Sequence, residues 1–425
     1  MNICRKILQG RTGAAAVIIL ALFIGNCAYM GMRGRDNVRE GITVFQQGKP
    51  VTVYNSCVIR GTVKGGDEKR PILVAAYPLS HESRNTDEYV ILGKPGPYAL
   101  YLPEGRYVIY AVADYNNNAV FEKNEVSGVY GSQDGISISS DEVKGGIVIQ
   151  QKEERSGLPE FPVELGIPDD SSTLTYDSYN GQIVKLYSER FSSHNATAGC
   201  WSPTQFMKAF GATIYFTEKY NPGKIPVLFV HGTEGSPQDW AYFLVRLNRA
   251  KYQPWFYYYP SGIRLSLTTA LLNEDIAELW EKYRFSRLCI TAHSMGGLIS
   301  RSLVTQYSFE KQNNCVRLFV TFATPWSGFQ TADVSIKYSS RVLPIWMDIA
   351  SRSTFIKRTM RSPIPESIGY YMFYGKSDIV SMEKALDDRA FEGAKEKFGF
   401  ECGHDTILSE KSVFLKFSEI LDREL

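Results

Sequence analysis

The chain has 425 residues, more than one average domain needs and enough for two. Hydrophobic residues make up 44% and charged residues 22%, the balance of a globular protein with a large core rather than of a disordered or fibrous one. With 47 basic against 45 acidic residues the formal charge is +2, which argues against a nucleic-acid-binding surface and the strongly basic field it needs.

Arg5, Lys6 and Arg11 precede the apolar run GAAAVIILALFIG, the layout of a bacterial export signal. The next stretch, FIGNC, resembles a lipobox, where the signal is cut and the new terminal cysteine, here Cys27, receives lipid. Asn26 stands where that motif usually carries glycine, alanine or serine. Residues 13–32 are also twenty in a row without a charge, long enough for one membrane-spanning helix. Lipidation, an uncleaved anchor and plain cleavage are therefore the alternatives. Each sends the body of the protein into the cell envelope or beyond it, and the first two make the membrane a partner.

Residues 28–50 read as a linker. Over 51–150, short alternating runs (VTVYNSCVIRGTV, PILVAAYPL, YALYLPEGRYVIYAVAD, GIVIQ) separated by Gly, Pro and Asn predict a small antiparallel β-sandwich. The stretch YLPEGRYVIYAVAD resembles the prealbumin-like or immunoglobulin-like modules of bacterial surface proteins. Inside it, Asp114, Asn116, Asn118, Glu122 and Glu125 occupy positions one, three, five, nine and twelve of a calcium loop. Ala119 replaces the glycine of the sharp bend, and strand-like sequence precedes, so local Asx-turn hydrogen bonds are the expected role.

Residues 151–204 read as a connecting segment, with His194 a surface or packing histidine in a loop. From 205 apolar strand runs (PVLFVHG, PWFYYYP, SRLCITAHS, VRLFVTFATP, YYMFYGKSD) alternate with helical stretches, as parallel strands covered on both faces do. TTALLNEDIAELWEKYR, with Leu271, Leu272, Ile276, Leu279 and Trp280 at helical spacing, and KSVFLKFSEILD predict amphipathic helices. The expected architecture is a three-layer α/β sandwich with a mostly parallel sheet. Beyond Cys4 and Cys27 the cysteines are Cys57, Cys200, Cys289, Cys315 and Cys402. No CxxC pair points to zinc, the spacing fixes no disulfide, and Cys289 belongs to a buried strand run as a free thiol.

Ligands of parallel α/β sheets bind at the carboxyl ends of the strands. Four such exits supply a small-residue loop (HGTEGSPQDW), a serine (SMGG), an aspartate (KSDIV) and a histidine (GHDTI), in that order. Serine needs a neighbouring base held by a third group, and Ser…Asp…His is the triad order of the α/β-hydrolase fold. Over residues 205–425 the sequence resembles that superfamily, and its lipase and esterase branch most closely. AHSMGG matches the nucleophile elbow, FVHG the oxyanion strand, TFATPWSG the stretch after the next strand, GKSDIV the acid loop and GHDTIL the histidine loop.

The resemblance implies Ser294 as nucleophile, Asp378 as acid and His404 as base, with oxyanion N–H donors from Met295 and Thr233. The elbow limits side-chain size two residues before and after the serine, so Ala292 substitutes for the usual glycine, Gly296 meets the limit on the far side, and Gly297 can let the helix press on the sheet. His293 points away from Ser294 and His231 shapes the oxyanion loop, both structural roles. His81 lies in the other domain. Asp387, Asp388 and Asp405 are lesser rivals for the acid. Residues 332–367 fall where the superfamily inserts a lid; Ile345, Trp346, Met347 and Ile349 there either line an acyl pocket or pack a short helix on the core. The implied activity is hydrolysis of carboxylic esters, lipid or acyl esters foremost, without cofactor or metal. A thioesterase, an acyltransferase or an inactive binding protein of the same fold are the alternatives.

Overall fold

The structure, a computed structural model, describes residues 42–46, 49–53, 57–67, 70–79, 88–118, 120–131, 134–152, 157–162, 165–166, 180–312, 314–338, 342–378, 380 and 393–425. Cys27 with the export segment, His81, Ala119, Asp387 and Asp388 lie outside the described residues. The chain forms two compact units, Asn55–Asn180 and Gly181–Leu425, the second including the segment Met1–Tyr54. Among the described residues no helix is long and apolar enough to cross a membrane.

Where a linker was expected to residue 50, strands β1 (Ile42–Gln46) and β2 (Lys49–Val53) form an antiparallel hairpin. Their β-branched Ile42, Thr43, Val44, Val51, Thr52 and Val53 flank a Gln-Gly pair, a hairpin composition.

The unit 55–180 is a β-sandwich. One sheet has the order β10-β7-β4-β5, with β9 also on β7 (β4 Ile72–Pro78, β5 Glu88–Leu92, β7 Gly105–Ala113, β9 Val126–Tyr130, β10 Ile136–Ile138). The other has the order β11-β3-β6 (β3 Cys57–Lys64, β6 Pro97–Leu102, β11 Val143–Gln150). Ile59, Leu100 and Ile149 of the second sheet meet Val74, Ile109 and Ala111 of the first in one core. The sandwich is not wholly antiparallel, because β11 runs parallel to β3. No tight hairpin joins them, so the antiparallel direction that a short turn imposes does not apply.

The calcium-spaced residues serve the local backbone. Asp114 and Asn116 accept from the Asn118 N–H at 3.2 and 3.0 Å, and Glu125 from the Tyr115 N–H at 2.8 Å.

The expected connecting segment is divided between the units. Phe161 is buried in the sandwich unit, and Leu165–Gly166 (β12) pairs with Val120–Phe121 (β8). From Gly181 the chain enters the α/β unit, with β13 (Gln182–Ile183) at a sheet edge and helices α1 (Ser193–Trp201) and α2 (Pro203–Phe210). His194 thus lies exposed in the first turn of α1, not in a loop; Ser192 caps that helix by accepting the Asn195 N–H.

The α/β unit carries an eight-stranded sheet in the order β13-β14-β16-β15-β17-β18-β19-β20. Its strands are β14 (Thr213–Phe216), β15 (Ile225–Val230), β16 (Tyr252–Tyr258), β17 (Leu288–His293), β18 (Val316–Phe322), β19 (Gly369–Gly375) and β20 (Glu396–Phe400). From β16 to β20 all pairs are parallel; β14 runs against β16.

Every residue of β15, β16 and β17 is buried, which explains their near-continuous apolar text. Val227, Phe229, Val320, Phe322 and Phe373 face helices α3 (Ala241–Arg246) and α9 (Lys411–Glu424), where Phe243, Phe414 and Phe417 complete the layer. Helix α4 (Leu265–Tyr283) buries Leu271, Leu272, Ile276 and Leu279, and the Tyr257 hydroxyl of β16 donates to its Thr268 carbonyl. Trp280, expected on the same stripe, is half-buried under the Arg284 guanidinium. The five cysteines beyond residue 56 are all free and buried, and burial pushes the Cys289 thiol up to about 12.

Phe417 has no solvent exposure and its ring lies 5.3 Å from Phe243 and 5.8 Å from Phe322. Phe417→Ala is expected to destabilise the α/β unit by about 3–5 kcal/mol, read as a lower urea midpoint of near-ultraviolet circular dichroism. A loss below about 1 kcal/mol would contradict this core.

Candidate active site

Ser294 sits between β17 and helix α5 (Met295–Gln306) with φ +51° and ψ −129°, a strained conformation for a side chain with a Cβ. The turn is crowded by its neighbours. A Cβ on Gly296 would lie 2.5 Å from the His231 carbonyl oxygen and 2.7 Å from that of Val230, and one on Gly232 would lie 2.9 Å from the Ser294 Cβ. The size limit at position 296 therefore comes first from the carbonyls of β15, not from position 292. Ala292 is fully buried in register with Val230 and Thr321. Gly297 admits the Thr324 hydroxyl, which a Cβ would meet at 2.0 Å.

Asp378 follows β19 and His404 follows β20. The His404 Nε2 lies 2.8 Å from the Ser294 Oγ, and its Nδ1 lies 2.9 Å from the Asp378 Oδ2. The Asp378 side chain is fully buried, and its other oxygen accepts the Val380 N–H at 2.8 Å. The structure thus brings all three predicted side chains together. Asp405, the described rival, is exposed beside the histidine.

His293 and His231 are the buried supports. The His293 Nε2 lies 3.0 Å from the His404 carbonyl, and its ring stands edge-on to Trp240. His231 stacks on Tyr259 at 4.1 Å, its Nδ1 lies 2.8 Å from the Gly232 carbonyl, and its Nε2 lies 3.3 Å from the Tyr259 backbone nitrogen. One ring anchors the histidine loop and the other the oxyanion loop. Burial lowers both pKa values to about 4.

Met295 opens α5, so its N–H has no partner within the helix, and that end of the helix favours negative charge. The Thr233 hydroxyl donates to the Met295 sulfur at 3.4 Å, so the two expected oxyanion residues touch beside Ser294.

A cavity of about 670 Å³ opens onto Ser294, with Tyr242, Phe329, Ala332, Trp346, Ile349 and Leu408 among its walls. The insert between β18 and β19 folds as three short helices, α6 (Gln330–Tyr338), α7 (Pro344–Ile349) and α8 (Thr354–Arg361). Its apolar residues divide. Trp346 and Ile349 line the cavity, Ile345 is buried away from it, and Met347 is 38% exposed. Asp348 anchors α7, accepting the Leu265 N–H at 2.7 Å and pairing with Arg264 at 2.8 Å. Tyr242, Phe329 and Leu408 were not legible as wall residues, since each sits in an ordinary apolar pattern and only tertiary packing turns it inward.

Residues 222–362, about a third of the chain, match the family model described as "Putative serine esterase (DUF676)". Among solved structures the chain is similar to the mature lipase BlEst2 of Bacillus licheniformis, at 18% identity over 48% of this chain and 94% of that one, TM-score 0.39. Est1E from Butyrivibrio proteoclasticus matches at 9% identity over 50% and 92%, TM-score 0.39. A structure of the metagenome-derived lipolytic enzymes LipS and LipT matches at 17% over 51% and 98%, TM-score 0.39. No curated protein sequence matches. The sheet is that of a mostly parallel α/β fold, and the family match makes its residues 222–362 similar to serine esterases.

Both buried histidines titrate in the folded state near 4, below the ordinary 6.5, so the unfolded chain binds more protons between these values. Their stabilisation is complete above about pH 6.5 and is lost as pH falls toward 4, on the order of 3 kcal/mol for each ring. Urea midpoints measured from pH 7 to pH 4 should fall accordingly, and less steeply in His293→Asn. A flat profile would contradict the neutral, buried rings.

Proposed function

We propose that Ser294, His404 and Asp378 form the catalytic triad of an esterase acting on lipid or other acyl esters. The observation that carries this reading is the unbroken relay from the Ser294 Oγ through the imidazole to a buried carboxylate, at 2.8 and 2.9 Å. The His404 Nε2 takes the hydroxyl proton as Ser294 attacks the acyl carbon, then returns it to the departing alkoxide. Asp378 holds the ring and balances its charge while the imidazolium exists. The Met295 and Thr233 N–H groups receive the developing oxyanion; fixed donors of this kind contribute on the order of 3 kcal/mol each. Water then repeats the sequence on the acyl-enzyme and frees the acid.

The walls of Trp346, Ile349, Phe329 and Leu408 support an acyl chain as the group held. The reading places the enzyme in the bacterial envelope, tethered by lipid on Cys27; its support is the basic-then-apolar amino terminus. The mass of the mature amino-terminal peptide tests that tether.

Ser294→Ala should lower kcat/KM on p-nitrophenyl butyrate by at least about a thousandfold, and Asp378→Asn by about 10³–10⁴. Retention of activity within tenfold by either variant would refute the assignment.

A further inference from the structure

The cavity beside Ser294 has a one-sided chemistry. Its described lining holds the carboxylates Glu234, Asp239 and Asp405 and neither a lysine nor an arginine. Asp239 caps a helix, where it accepts the Ser236 N–H at 2.9 Å. All three are exposed, and Glu234 and Asp405 stand beside the machinery. Glu234 follows Thr233 and Asp405 follows His404, so one carboxylate flanks the oxyanion loop and the other the base.

Glu234 is held there at a conformational cost. Its φ of +52° is left-handed, a region a long side chain rarely enters without support. The support is visible. The Glu234 N–H donates to the Ser261 hydroxyl at 2.9 Å, and its carboxylate accepts the Trp201 indole N–H, also at 2.9 Å. Trp201 in turn stands edge-on to Trp346, a wall of the cavity, at 6.4 Å. An exposed glutamate with only a solvating role needs no such clamp.

We propose that Glu234 and Asp405 are specificity-determining residues that restrict this site to neutral or cationic esters and exclude those bearing a carboxylate or phosphate. The inference rests on the ester-hydrolase reading and narrows its substrate class. An anionic ester entering the cavity sheds water, meets like charges, Glu234 and Asp405 beside the machinery, and finds no lysine or arginine among the described lining residues. At several ångströms and an effective dielectric of about 20, one such repulsion is worth about tenfold or more in binding. A neutral ester meets no repulsion, and a quaternary ammonium gains from the carboxylates and from the aromatic walls. Uncharged acylglycerol-type esters fit this chemistry; phosphate-bearing lipids and thioesters of phosphorylated carriers do not.

Three p-nitrophenyl esters of similar size test it: the butyrate, the anionic hemisuccinate and the cationic 4-(trimethylammonio)butyrate. The expected kcat/KM for the hemisuccinate is at least about tenfold below that of the butyrate, with the cationic ester equal to or above it. Salt should narrow the gap, because both carboxylates are exposed. Glu234→Gln, which keeps an oxygen for the Trp201 N–H, combined with Asp405→Asn should narrow the hemisuccinate-to-butyrate ratio. A merely structural role would lower both rates alike and leave that ratio fixed. Hemisuccinate turnover within twofold of butyrate, or an unchanged ratio in the double variant, overturns the proposal while leaving the esterase intact. Failure to cleave any of the three strikes the esterase reading itself, and this inference falls with it.

Discussion

The close approach of helix α5 to strand β15 is the constraint from which the site follows. Two backbone carbonyls, of Val230 and His231, press so near the helix start that position 296 can hold only hydrogen. At that contact Ser294 takes a left-handed φ of +51° on the turn between β17 and α5. The open N–H end of α5 lies beside its hydroxyl. The hydroxyl's position, its strained backbone and the helix N–H field thus meet at one packed contact.

Around that contact two loops are braced by buried neutral rings. His293 reaches the His404 carbonyl, His231 braces Gly232 and stacks on Tyr259, and Trp240 fills the space beneath. Burial keeps both rings uncharged, so their hydrogen bonds keep one direction across the neutral pH range. One cavity wall is held instead by an ion pair. The α7 helix bearing Trp346 and Ile349 is tied to the start of α4 through Asp348, whose carboxylate is buried and paired with Arg264.

Legibility in the sequence tracked how far a residue's fate is decided by its own segment. Strands β15 to β19 were readable because burial on both faces leaves a near-continuous apolar run. Ser294 and Asp378 were readable because each follows such a run at a strand's carboxyl end, and His404 because its GHDTI loop follows the exit of FGFEC. Where partners come from elsewhere the text was silent. Helix α1, whose polar Ser193, His194, Asn195 and Thr197 are interleaved with small residues and leave no apolar stripe, looked like a loop, and the parallel direction of β11 depends on a distant strand. The crowding at Gly296 was foreseen as a contact within the elbow and is in fact a contact with the neighbouring strand. Glu234 carried no sequence signal at all, since its importance lies in a left-handed φ and in Trp201, thirty-three positions away.

The central claim is that His404 makes the Ser294 hydroxyl reactive, and site-mapped labelling with a fluorophosphonate addresses it most directly. The account predicts one adduct, on the peptide bearing Ser294, formed at a rate that collapses in His404→Ala while the variant stays folded. An adduct on another residue, or labelling of Ser294 as fast without the imidazole as with it, would contradict the account.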